Sequence, residues 1–548
     1  MGVICSVARE PFVNSHIQSE RTSPARVSPF AQAAGFVRAH AVRIGAISAA
    51  ALVPVFWHGH IEAGDLGSHV YNAWLAQLIE RGQAPGLWLA HCWNNVLIDW
   101  MLTGFGSLVG LHAAERIAVS LAVLLFFWGA FALIGRAAQR APWFMTPLLA
   151  AITYGWTFEM GFLNYYLSLA FAFWGLAIFW RGRGWQRALA LLFAPAAYVA
   201  HPLGLLLLIG VAAYVWLAER LRGRGAYRAA LLFAACGALV ALHFYLARHF
   251  ITDPPDEPYW TFSGIDQLMI YGPRYWIAAV VMATFAVVAL AIDRVERWKQ
   301  AGRDNLSAIG IERDDMPQGL WARFVLPIEL YALLGVGVVA LPDGIHLPQY
   351  PAAIALLTER LTSVSAVVIC CVLGVMRPRW WHLVATSVVA LAFFGLLFRD
   401  TGRVSRMETK VEQLVRTIPR DSRVMATLPA WPEARVSFQH IVDRACVGHC
   451  FSYGNYEASS QQFRVRANEG NGYVMTNDKD PAAMEEGWYE VLSRDLPAWD
   501  VYQCGLNDLD LCIRPLAEGE DVDQRGVHPA ERPAIDMTGA PSPPAKNP

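Results

Sequence analysis

Asp65 is the residue whose type and setting point most directly to chemistry. It lies in the run His58–Arg116, which reads HGHIEAGDLGSHVYNAWLAQLIERGQAPGLWLAHCWNNVLIDWMLTGFGSLVGLHAAER, with Gly64 before it and Gly67 just after. The two glycines free the backbone around the carboxylate. A carboxylate near the membrane is costly, which makes it a functional candidate by default. Glu62, Glu80, His58, His60 and His69 share the run. Past Asp65, the residues Val70, Tyr71, Trp74, Leu75, Leu78 and Ile79 recur at three- and four-residue spacing, which predicts a helix with one apolar face. Asp65 or Ser68 would cap it, and it would lie along a membrane surface with Asp65 at the lipid–water boundary. The alternative is a solvated interfacial loop without chemistry.

The elements that must hold this run are membrane spans. Of 548 residues, 55% are hydrophobic and 16% charged, well below the roughly 25% charge of soluble domains. The net charge of −1 gives no electrostatic case for nucleic acid. Eleven spans are predicted, near 41–57, 117–135, 143–159, 163–180, 186–200, 202–218, 228–247, 275–292, 321–341, 359–376 and 380–398. Lys and Arg sort by side, 22 in the inner segments against 5 in the outer ones. That places the amino terminus in the cytoplasm and everything after residue 398 outside. A twelfth span at 94–110 would invert every later loop, so this segment is read as an outer juxtamembrane or re-entrant helix. Asp99 then avoids the bilayer centre, where a carboxylate costs about 2.5–3.5 kcal/mol.

The expected fold is therefore an all-α polytopic membrane protein with outer juxtamembrane helices and a small extracytoplasmic α+β domain. Residues 1–40 are predicted to be a disordered cytoplasmic segment, 41–400 the transmembrane domain with its outer loop 58–116, 401–516 the outer domain, and 517–548 a disordered, Pro-rich tail. Within 401–516 the pattern predicts a helix over 407–417 and strands over 422–427, 462–467 and 509–515. Cys446, Cys450, Cys504 and Cys512 are disulfide candidates in a region facing an oxidising space, with three pairings open. A zinc site combining His449 with these cysteines is the alternative.

On this topology the ionisable and amide residues at span ends gather on the outer face: Asp65, His69, Asn94, Arg116, Glu159, Asn164, His201, Arg248, His249, Arg274, Glu359 and Arg360. Arginines beside carboxylates at one lipid boundary suit a substrate with a lipid tail and a phosphate head. The alternative for each is a snorkelling side chain or an ion pair. The outer loop Phe250–Arg274 adds Asp253, Asp256, Glu257 and Asp266 among Tyr259, Trp260, Phe262 and Tyr271. That mixture binds sugar rings, or forms an interfacial aromatic belt. The chain has no phosphate-binding glycine loop, no HExxH and no GxSxG with partners, which disfavours nucleotide-driven transport and serine hydrolysis.

One span, an outer loop with an early acidic residue, and a re-entrant segment ending in FGSLVGLHAAERIAVSLAVLLFF come first, followed by many spans and an outer carboxy-terminal domain. This order resembles the GT-C class of membrane glycosyltransferases, in particular the aminoarabinose transferase and protein O-mannosyltransferase type. In that class the first outer loop carries the catalytic carboxylate, a role that falls on Asp65. Gly110 to Arg116 approximates the family's stretch opening the second span, and Glu159 matches a second acidic residue loosely. The chain departs from the family in having a lone Asp65, with Glu62 three residues earlier, and WNNVLIDW where a Lys-Pro-Pro-Leu-like stretch is usual.

The resemblance implies a multi-pass plasma (inner) membrane enzyme that moves a sugar, with inversion, from a polyprenyl-phosphate-linked donor to an extracytoplasmic glycan, lipid or protein. It implies Asp65 and Glu159 as catalytic residues. His69, Asn94, Arg116, Asn164, His201, Arg274 and Arg360 would bind substrate. No cofactor is certain, although a divalent cation fits such a site. A lipid-linked sugar flippase or transporter, or a non-catalytic envelope assembly protein, is the alternative.

Overall fold

The computed structural model describes residues 29–255, 261–307, 318–348, 353–428, 431, 433–477, 479–485 and 489–522. Two compact units are present, Met1–Ala50 and Ala51–Pro548. In the first, Pro29–Ala39 (α1) is helical where the sequence predicts disorder, and α2 (Ala41–Phe56) follows. Residues 1–28 and 523–548, the larger parts of the two predicted disordered segments, lie outside the described residues.

The helices that follow are α3 (Leu66–Glu80), α4 (Leu97–Val109), α5 (Leu111–Ala138), α6 (Thr146–Thr153), α7 (Trp156–Glu159), α8 (Leu163–Phe179), α9 (Gly184–Ala190), α10 (Phe193–Ala200), α11 (Pro202–Arg220), α12 (Gly225–His249), α13 (Arg274–Ser307), α14 (Gln318–Ala340), α15 (Leu357–Gly374) and α16 (Trp380–Val415). Among the described residues, seven of the chain's helices are long and apolar enough to cross a membrane, or eight if Ala33–Ala39 and Ala41–Phe56 count as one bent span. Four of the eleven expected spans are shorter or broken, the first of them being α2 with its 16 residues. The segment 143–159 divides into a turn, α6 and α7, because the chain turns at an extended Gly155 pressed against the Gln267 carbonyl. Residues 186–200 divide into α9 and α10, and α8 has 17 residues. At 13 residues, α4 falls well short of the ~20 that a span needs.

The core of the helical part is α8, buried on nearly every face and packed on α5 by stacking of Phe126 on Tyr166 at 4.2 Å. By contrast, α12 has no buried residue. An apolar helix satisfies its own backbone, so lipid can cover such a surface without a protein neighbour. Inside the bundle, Glu329 of α14 receives both Nε and Nη2 of Arg228 at 2.6 and 2.8 Å, and the hydroxyl of Tyr214 at 3.2 Å, tying α11, α12 and α14 together.

With 36 residues, α16 is about 54 Å long at 1.5 Å per residue, well beyond the ~30 Å hydrocarbon thickness. Its last turns, with Met407, Glu408 and Val411 buried, carry the chain into a four-stranded sheet. β4 (Arg423–Thr427) is central, parallel to both β5 (Phe451–Ser452) and β8 (Ala498–Gln503), with β9 (Leu511–Pro515) antiparallel to β8, while β2 (Ile251–Asp253) pairs with β3 (Gly344–His346) and β7 (Tyr489–Glu490) with β10 (Asp521–Val522). The predicted helix over 407–417 is the end of α16. The strand-like run 462–467 contributes β6 (Val465–Ala467) outside this sheet. It pairs antiparallel with β1 (Leu87–Leu89), between α3 and α4. β8 was not foreseen, because Asp500 in its middle interrupts the apolar pattern. That carboxylate is buried and meets Arg514 of β9 at 3.3 Å. Cys446 is bonded to Cys450 and Cys504 to Cys512. With all four thiols so used, the zinc alternative falls. His449 instead faces the Ile418 carbonyl at 3.1 Å.

Candidate functional site

Three backbones meet at Asp65. The Gly64 amide donates to the Glu159 carbonyl at 2.8 Å, and the Asp65 amide to the Met160 carbonyl at 3.0 Å. A Cβ at Gly64 would stand 2.4 Å from the Met160 carbonyl oxygen, and one at Gly67 2.1 Å from that of His440. Only glycine permits either approach. Asp65 occupies the N-cap position of α3, yet neither its carboxylate nor the Ser68 hydroxyl caps the helix. The sequence expectation of a cap is corrected on both counts. Ser68 donates to Glu457 at 3.1 Å, which leaves the Asp65 carboxylate for other partners.

That carboxylate is 21% exposed, and its Oδ1 lies 3.7 Å from Nε2 of His440. Burial raises its pKa above the ordinary carboxylate value, opposed by the positive potential of His440, His69 and Arg360. The other nitrogen of His440, Nδ1, is 2.9 Å from Oδ2 of Asp443. Asp443 also accepts from the Ser452 hydroxyl and from Nδ2 of Asn455, the latter at 3.2 Å. His440, Asp443 and Arg444 fall within or just before α17 (Ile441–Cys446), in the carboxy-terminal part of the chain.

The surface-lying α3 predicted from its apolar face is instead covered almost all round, with Ser68, His69 and Asn72 buried along with its apolar residues. Its polar side faces protein because bonding partners wait there. Nδ1 of His69 is 2.9 Å from Asp99 and 3.5 Å from Glu457, and Asn164 donates to Asp99 at 3.2 Å. Burial works to lower the His69 pKa, but Asp99 and Glu457 outweigh it and hold it at about 10. Burial pushes Glu457 up to about 7. His69, Asp99 and Glu457 bring ligand atoms within 4.8 Å of one another, the geometry a divalent cation would need. The imidazolium proton already supplies that positive charge, and a metal would have to displace it.

Arg360 opens the face opposite. Its guanidinium lies over the ring of Phe162 at 4.5 Å, Nη1 is 3.4 Å from Nε2 of His201, and Nε is buried with no hydrogen-bond partner. Nδ1 of His201 accepts from the Leu203 amide, capping α11. Phe162 meets the Trp156 ring edge-on at 5.6 Å, and Arg435 from the carboxy-terminal part covers Trp156 from 5.4 Å. A guanidinium with an unused, desolvated donor is poised for an anionic oxygen.

On the other side of the Asp65 loop, Arg444 is surrounded by carboxylates: both oxygens of Glu408 at 2.5–2.6 Å, Glu115 at 2.5 Å and Glu62 at 3.8 Å. Glu62 is pushed well above the ordinary carboxylate range by burial and by Glu408. A cavity of about 20 Å³, room for one water, is lined by Gly64, Gly67, Glu62, Glu159, His440 and Arg444 among others. Glu159 thus stands behind Asp65, with the Tyr271 hydroxyl donating to it at 2.7 Å. A larger cleft of about 220 Å³ lies beside β1, lined by His91, Trp93, Trp100 and Arg464.

The structure therefore links His69 through Asp99 to Asn164, and Arg360 to His201, while the charges of His69 and Arg360 act on Asp65 and Glu159 lies behind its loop. Arg116 does not join it. Its guanidinium donates to the carbonyls of Val55, His58 and Gly59, capping the end of α2. Asn164 serves packing, because it accepts from the Ile98 amide and donates to the Asn95 carbonyl at the start of α4. Asn94 is half-buried in the preceding turn. Arg274 is exposed at the head of α13, where it acts on Asp400. In the Phe250–Arg274 loop, Asp253 pairs with His346 at 3.1 Å and Asp266 is buried against Thr362 and Gln267. Asp256, Glu257, Tyr259 and Trp260 lie outside the described residues. Sequence reasoning missed His440, Asp443, Arg444, Arg435 and Glu457. The available signal was QHIVDRAC, a His, an Asp and an Arg one helical turn apart, directly before a cystine. Compared with protein-family models, curated proteins and solved structures, the chain matches none of them.

Proposed function

We propose that this protein is a membrane glycosyltransferase of GT-C type that moves a sugar from a polyprenyl-phosphate donor to an acceptor outside the cytoplasm. The observation that carries the reading is a partly exposed, glycine-bracketed carboxylate, Asp65, within the electrostatic influence of Arg360, a guanidinium at the start of α15 whose Nε has no hydrogen-bond partner. The first supplies a base for an acceptor hydroxyl, and the second a partner for the phosphate that leaves. The asymmetry of Lys and Arg supports an outer location for this rim. The shorter α8, the pair α9 and α10, and the segment holding α6 and α7 would complete an eleven-span bundle beside the longer helices. A single displacement at the anomeric carbon inverts its configuration.

Membranes enriched in the protein, given labelled sugars on a panel of polyprenyl phosphates, should release polyprenyl phosphate as the sugar passes to acceptor. Transfer that proceeds only from a nucleotide sugar, or no transfer with any donor in the panel, would overturn this reading.

A further inference from the structure

A base that removes a proton from an acceptor hydroxyl must pass it on before the next turnover. The groups around His440 are arranged for that step. Asp443 accepts from the Ser452 hydroxyl and the Asn455 amide and faces Nδ1 of His440 at 2.9 Å, and an ionised carboxylate can only accept. The proton of neutral His440 therefore sits on Nδ1, leaving Nε2 as the accepting end of the ring. Nε2 is the atom that lies 3.7 Å from Asp65 Oδ1. The spacing is set by backbone, because the His440 carbonyl is packed against Gly67 at the start of α3. The Tyr456 ring, 5.1 Å away, packs against the imidazole. The charged groups around this pair are Asp443 beside His440, His69, Glu457 and Arg360 on the Asp65 side, and Glu62, Glu159 and Arg444 around the one-water cavity.

We propose that His440, oriented by Asp443, receives the proton that Asp65 takes from the acceptor hydroxyl, so that the outer domain completes the site; this rests on the transferase reading above. The acceptor O–H bond breaks as its oxygen bonds to the anomeric carbon, and the bond from that carbon to phosphate breaks with its electron pair leaving on the polyprenyl phosphate. The proton moves from the hydroxyl to the Asp65 carboxylate and on to Nε2 of His440. The imidazolium is stabilised by Asp443, in the manner of a base held by a third group. The water-sized cavity gives the proton a way out. His440 acts through Asp65 and is a positioning and relay residue.

The test uses the full-length protein in lipid nanodiscs with a labelled polyprenyl-phosphate sugar, comparing wild type, Asp65→Asn, His440→Gln, Asp443→Asn and His440→Ala across pH 5 to 9. Wild type should lose kcat on the acid side through a limb that reports the protonation of His440. His440→Gln should lower kcat by about 10²-fold with donor KM unchanged, and move the acid limb into the carboxylate range. Asp443→Asn should lower kcat similarly, and added imidazole should partly restore His440→Ala. If His440→Gln keeps both its kcat and the wild-type limb while Asp65→Asn is inactive, the relay is wrong and the transferase reading stands. If thermal stability drops with the limb unmoved, His440 is only a structural contact. No transfer by wild type removes both.

Discussion

A Cβ placed on Gly161 would stand 2.3 Å from the amide nitrogen of Asp65, and Gly161 itself has φ of +79°. The loop that presents the carboxylate is therefore moulded on a turn almost a hundred residues away, between α7 and α8. A side chain there meets both a backbone it cannot displace cheaply and a left-handed conformation that costs about 1–2 kcal/mol for an L residue. Gly161→Ala should lower the unfolding midpoint in detergent and reduce sugar transfer more than tenfold by shifting Asp65. Wild-type transfer in that variant would show that the loop is not fixed from behind.

Arg444 is the charge that three buried carboxylates share. Removing one partner of a buried pair leaves uncompensated charge and costs about 3–5 kcal/mol. Arg444→Ala should therefore cripple folding, seen as loss of the monodisperse peak and a lower unfolding midpoint. Arg444→Lys should rescue it poorly, because an ammonium cannot serve both oxygens of Glu408 and also Glu115 in one plane. An Arg444→Ala protein as stable as wild type would contradict the assignment.

The His69–Asp99 pair gives stability a pH dependence of defined sign. His69 titrates at about 10 in the folded chain against 6.5 unfolded, so the folded state binds the extra proton between those values. Its contribution is complete below pH 6.5 and is lost as pH rises through 10. Unfolding midpoints should therefore fall from about pH 7 to about pH 10, and His69→Gln should flatten that decline. Equal slopes in the two proteins would show that the pair does not carry a shared proton.

The helices were legible because apolar runs of span length have few other readings, and Asp65 because glycines on both sides of a carboxylate mark a shaped turn. The partners of that turn were not. Ser68 reaches Glu457 across 389 residues, and no local pattern records such a contact. The same blindness explains α3, whose Ser68, His69 and Asn72 read as a solvated face because their bonding groups lie in the outer domain and in α4. Arg116 and Arg360 are equally plausible phosphate binders by type and position. Only the carbonyls of Val55, His58 and Gly59 reveal that one of them is committed to a helix end.

Whether Asp65 is the base is read from the turnover of Asp65→Asn against wild type with a polyprenyl-phosphate sugar donor, in protein of matched amount and unfolding midpoint. The substitution keeps the shape and the backbone contacts at Gly64 and Gly161 while removing the base. A drop in kcat of at least about 10²-fold with donor binding retained is the predicted result. Near-normal turnover by the Asp65→Asn protein would contradict the account.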